Sequence, residues 1–236
     1  MNRKYCLIRR LLKQRPFLIG LCILIFLFLF SVMTPLVIKW NPLEMSTDFF
    51  RPPSFGHLFG TDSFGRDVAA RICFGARTSI LLGFSVMLTS TFGGLVVGLL
   101  SGVSKRLDFF SVQTIDILMA FPELILALGI MAILGQTTAN IVIALTAVYT
   151  AKMARVARSS VLSIGEQTYI EAARGIGSSR LRIFLLDVLR HPVAPIIVQG
   201  SFVFGWIIIL EAGLSFAGEG IQLPTASLGN ILMVFQ

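Results

Sequence analysis

Residues 168–192 read TYIEAARGIGSSRLRIFLLDVLRHP, the one long polar interval in the second half of a very apolar chain. Thr168-Tyr169-Ile170-Glu171 has the form of a capping box, in which Thr168 accepts from a backbone N–H three residues on and Glu171 reaches back. A short helix is predicted to start there, with Glu171, Ala172 and Ala173 in its first turn. Gly175 and Gly177 loosen or end it. Ser178 or Ser179 can cap a second helix over residues 180–189, limited by Pro192. Two short helices meeting at a glycine form a compact knob between apolar runs. On shape alone, a docking surface and a plain helical connection both fit it.

Outward from the knob the composition is that of a membrane protein. The chain has 236 residues, 55% hydrophobic and 14% charged, with mean hydropathy +0.84. A soluble domain carries about a quarter charged residues. Several runs approach or exceed the roughly 20 apolar residues that cross a bilayer. The period-2 alternation of a membrane barrel is absent, so the class is all-α and polytopic. The net charge is +8. Its basic residues flank hydrophobic runs, which points to topology and anionic lipid headgroups and away from nucleic acid. Cys6, Cys22 and Cys73 have neither metal spacing nor a disulfide pattern.

Residues 1–15 carry Arg3, Lys4, Arg9, Arg10, Lys13 and Arg15 with no acid, which places the N-terminus in the cytoplasm. Residues 16–38 form the first transmembrane helix. By alternation, residues 39–78 lie outside. Within them Asp62 and Asp67 flank Arg66, while Gly60 and Gly65 permit tight turns, so a self-paired loop is expected. A scaffold role for this loop and direct contact with a partner both remain open. Residues 68–77 then read as an amphipathic helix leading into a second span over 79–100. There Gly94, Gly98 and Gly102 line one face and allow close helix approach. A third span covers 109–134, interrupted by Asp116, Pro122 and Glu123. Asp116 is either a pore-facing carboxylate or a headgroup-level residue, and Pro122 can kink the helix. A fourth helix over 140–164 carries Lys152, Arg155 and Arg158, whose long stems can reach the headgroups. A fifth span covers 193–210 and ends near Glu211, at either the translocation path or the outer interface. Gly213, Gly218 and Gly220 are expected to break that helix.

Four of these segments carry a resemblance. Glu171-Ala172-Ala173, three residues including Arg174, and then Gly177 resemble the EAA loop of permease subunits in ATP-binding-cassette importers. Gly60-Thr61-Asp62-Ser63-Phe64-Gly65-Arg66-Asp67 is similar to the GTDxxGRD segment of the dipeptide/oligopeptide/nickel branch of that family. DILMAFP at 116–122 and EAGLSFAGEG at 211–220 are similar to further segments of the same branch. The resemblance implies the type I importer permease fold and a multi-pass protein of the bacterial inner membrane. It implies that residues 79–236 are the permease core and that residues 163–192 hold the coupling loop that seats in a cytoplasmic ATPase. It further implies a second permease subunit and an extracytoplasmic solute-binding protein, with a peptide or nickel as cargo. The family carries a sixth span after a segment like residues 222–236. Five spans are expected here, with the sixth missing.

The chain has no G-x-x-x-x-G-K-[ST] loop, no H-E-x-x-H, and only His57 and His191 as histidines. No catalytic residue, metal site or cofactor is therefore expected in it, and ATP hydrolysis falls to a partner. Two other functions stay open: a secondary transporter driven by an ion gradient, and a truncated subunit that does not transport.

Overall fold

The computed structural model describes residues 15–37, 41–102, 104–165, 167–178, 192–222 and 224–234. The expected second helix of the knob, over 180–189, and the basic segment 1–14 lie outside these residues. The described residues form helices α1 (Arg15–Val37), α2 (Val68–Ser101), α3 (Lys105–Met119), α4 (Glu123–Leu134), α5 (Thr138–Gly165), α6 (Thr168–Gly175), α7 (Val193–Phe216) and α8 (Leu228–Val234).

The centre of the bundle is α5. Its buried residues, among them Ile141, Leu145, Val148, Tyr149, Met153 and Ala157, recur every three or four positions and face several neighbours at once. It packs most extensively on α2, then on α3, α4 and α7. The contact with α2 is close because Gly94 and Gly98 offer no side chain there. A Cβ on Gly98 would lie 2.3 Å from the Cβ of Ala157. The small-residue face expected from sequence thus packs within the chain. Leu82 and Val86 of α2, Met131 of α4, and Ile207 and Leu214 of α7 complete the core around α5.

Among the described residues, α2, α5 and α7 are each long and apolar enough to cross a membrane. The pair α3–α4 meets the same test only jointly, and it is bent by 95°. The single interrupted span expected over 109–134 is therefore two helices meeting at an elbow. Proline explains the break. Its ring blocks a continued helix, and the residue before it is pushed out of the helical region. Pro122 sits at φ −57, ψ 135 and opens α4, whose first turn carries Glu123. The other differences are smaller. The amphipathic stretch after Asp67 is continuous with the second span, giving one helix of 34 residues. α7 runs through Gly213 to Phe216, and the turn comes at Gly218, with φ +83.

Candidate functional site

The knob is fixed to the end of α5. Gln167 N–H donates to the Ile164 carbonyl at 3.0 Å, and α6 starts at once. Glu171 N–H donates to the Gln167 carbonyl at 3.3 Å, so Gln167 supplies the first backbone acceptor of α6, one residue before the expected Thr168. Ile170 is fully buried against Val161 and Ile164 of α5 and Leu99 of α2. The remainder of the turn faces outward: Tyr169, Glu171 and Ala172 are exposed, and Ile176 is 85% exposed. Gly177 ends the helix at φ +86, with Ser178 N–H donating to the Ala173 carbonyl at 3.0 Å. That is a Schellman stop, with glycine in the left-handed position it favours. Arg174 lies in α6 between these groups.

The loop before α2 is self-paired, as its charge order suggests. Asp62 is fully buried. One carboxylate oxygen accepts from Phe64 N–H at 2.8 Å and from Arg66 N–H at 3.0 Å. The other takes Arg66 Nε at 2.8 Å. Asp67 caps α2 by accepting from Ala70 N–H at 2.6 Å, and its second oxygen meets His57 Nδ1 at 2.9 Å. Thr61 pairs with Asp67 as an antiparallel bridge and accepts from Arg51 N–H at 2.8 Å. Gly60 and Gly65 both have positive φ, and a Cβ on Gly65 would lie 2.1 Å from the Ser46 carbonyl oxygen. All six residues singled out in this loop therefore belong to one small structure.

A further set of contacts joins α5 to the elbow. Arg158 holds Asp108 with two bonds, Nε to Oδ1 at 2.5 Å and Nη2 to Oδ2 at 2.9 Å. Arg155 Nη2 donates to Asp116 Oδ1 at 2.5 Å, with both side chains more than half exposed. Lys152 Nζ donates to Glu123 Oε1. Glu123 Oε2 accepts from Tyr149 O–H at 2.6 Å and from Trp206 Nε1 of α7 at 2.9 Å. The three bases, expected to reach for headgroups, instead pair with three acids of α3 and α4. Pairing satisfies a cation that apolar surroundings cannot. Tyr149, Lys152 and Trp206 were not marked from sequence as functional partners of Glu123. The sequence shows three bases at a spacing of three on one helix, but not which acids they meet.

Asp116 thus belongs to a rung of this ladder and Pro122 to its elbow. Glu211 lies elsewhere. It is fully buried and accepts from Ser79 Oγ at 2.9 Å and Ser215 Oγ at 2.7 Å, tying α7 to α2. Among the described residues, no group of three or more His, Cys, Asp or Glu could hold a metal ion.

Two family models match the chain. Residues 94–235 match the binding-protein-dependent transport system inner membrane component family, and residues 7–53 match the N-terminal transmembrane domain of oligopeptide transport permease C. A peptide transport system permease protein of Brucella suis is 40% identical over 225 residues, covering 95% of this chain and 76% of that one. A dipeptide transport system permease protein of Alkalihalophilus pseudofirmus is 36% identical over 226 residues, covering 95% and 74%. The fold is similar to a crystal structure of an amino acid ABC transporter with histidines, at TM-score 0.54 and 20% identity, over 67% of this chain and 74% of that one. The extent of these matches settles the affiliation: the chain belongs to the family of inner membrane components of binding-protein-dependent transport systems.

Proposed function

We propose that this chain is the membrane-spanning permease subunit of an ATP-binding-cassette importer for peptides, driven through α6 by a separate cytoplasmic ATPase. The observation that carries this is the build of the knob. α6 has one buried anchor, Ile170, on the end of the central helix, and it turns Glu171, Ala172 and Ile176 outward. An element anchored on one side and exposed on the other is suited to pass a push into the bundle. Ala172 and Ala173 keep its surface small enough for a groove. Glu171 supplies charge, Arg174 lies beside them, and Gly177 sets the stop. In this reading the N-terminus and the knob are cytoplasmic, and the loop at Gly60–Asp67 faces outward, toward the solute-binding protein. A second permease subunit completes the path. Peptide is favoured over nickel as cargo because the relatives named above are peptide and dipeptide permeases.

The test is reconstitution with the ATPase, the second permease and the binding protein in proteoliposomes, reading ATP-dependent uptake of a labelled dipeptide. Gly177→Asp and Glu171→Lys are expected to abolish uptake while the protein stays in the membrane. Unchanged uptake per ATP hydrolysed in both variants would refute the assignment of α6. Labelling of a cysteine at position 176 only from the outer face would refute the topology.

A further inference from the structure

The contact between α5 and the α3–α4 elbow has a direction built into it. α6 is fastened to the end of α5 by the burial of Ile170 and by the Gln167–Ile164 bond. Along α5, moving away from the knob, come Arg158, Arg155 and Lys152, paired with Asp108, Asp116 and Glu123. The first two rungs hold α3, and the last crosses the elbow onto α4. Among the described residues, only at Glu123 does the ladder reach a third body. That carboxylate takes Tyr149 and Lys152 from α5 and Trp206 from α7. It also opens α4, where a negative charge suits the helix N-terminus. With three donors on its roughly four lone-pair sites, this carboxylate is a junction, with little acceptor capacity left for a passing solute.

We propose that Glu123 is a positioning residue for transport: it is the joint through which motion of α6 and α5 is handed to α4 and α7 together. This deepens the function proposed above and rests on it. Displacing α5 pulls on the elbow, because the alternative parts the partly buried Lys152 and Glu123, and separating a desolvated pair is costly. The Asp108–Arg158 rung, a two-bond fork, sets the register between α5 and α3. The joint therefore does not concern whether the ATPase docks. It concerns whether the docked ATPase's work reaches the helices beyond the elbow.

The test uses the complete reconstituted importer and reads dipeptide uptake per ATP hydrolysed, a ratio that loss of protein does not alter. Glu123→Gln is expected to lower this ratio about threefold or more, with substrate-stimulated ATPase activity kept, as one charge-assisted contact is lost. Trp206→Phe, which removes a single donor from an exposed ring, is expected to lower it less. Asp108→Arg and Arg158→Asp should each lower it, and the double exchange should restore it, since a pathway claim requires measured coupling between its members. Spin labels at Phe92 of α2 and Ile133 of α4, with the native cysteines replaced, should change separation on ATP binding in the parent and stay fixed in Glu123→Gln. If the variants lose uptake and ATPase activity in step, or if α4 moves normally without Glu123, the joint is refuted while the importer reading stands. If the parent complex shows no ATP-driven uptake, both fall.

Discussion

A Cβ placed on Gly94 would stand 2.3 Å from the Cβ of Met153 and 2.7 Å from the backbone nitrogen of Ala154. At that point α2 and α5 touch backbone to backbone. Gly94→Ala should therefore force the two helices apart and cost about 1–3 kcal/mol, the usual range for overpacking. Gly129→Ala, on α4 with nothing within 4 Å of its missing Cβ, should be neutral or slightly stabilising. Thermal unfolding of the two variants in detergent checks the contrast. Equal behaviour would show that the α2–α5 seam is looser than described.

The loop ahead of α2 should depend on Asp62 far more than on its surface pairs. Asp62→Ala leaves Arg66 buried without its carboxylate, a loss of about 3–5 kcal/mol for a broken buried pair. Asp48→Ala breaks an ion pair with Arg51, whose side chain is 60% exposed, and should cost under about 1 kcal/mol. Limited proteolysis of the purified protein reads both. Cleavage within residues 41–67 should rise sharply for the first variant and little for the second.

Gly175 and Gly177 should respond oppositely to alanine. Gly177 has φ +86, so a side chain there costs about 1–2 kcal/mol and unsettles the stop of α6. Gly175 is helical and has open space, so alanine should gain up to about 1 kcal/mol of helix propensity. Co-purification with the ATPase should weaken for Gly177→Ala and hold for Gly175→Ala. The reverse order would mean that the stop does not shape the contact.

Glu211 has hydroxyl partners from Ser79 and Ser215 and is fully buried. Ser79 and Ser215 donate to different carboxylate oxygens; glutamine keeps one of these acceptors and turns its NH2 group toward the other hydroxyl, so Glu211→Gln should lower the melting temperature slightly. Leucine leaves two buried hydroxyls without their acceptor and should cost about 1–3 kcal/mol. Melting curves of the pair decide between a structural strut and a group whose charge is needed.

What could be read in the chain was local. The apolar runs announced α2, α5 and α7, because span length is set by membrane thickness. The Asp62–Arg66 pairing is four residues apart and visible in the order of charges. Gly94 and Gly98, one turn apart, announced a close seam, and Gly177 announced a stop. The ladder was hidden because its partners are 29, 39 and 50 residues apart. Each acid, taken singly, reads as an interruption of a span, and each base as a headgroup contact. Pro122 signals a kink, but the size of the bend is set by what α4 then packs against. The Ser79–Glu211 bond, 132 residues apart, had no local signature at all.

The length of α2 has one more effect. Thirty-four residues measure about 51 Å at the usual helical rise, while the oily layer is about 30 Å deep. Even a steep lean of 40° would use only about 39 Å of it. Part of this helix must therefore run past the oily layer, into the headgroups or beyond. Asp67 caps the first turn of this helix, so whatever length projects at that end carries the compact turn around Asp62 with it.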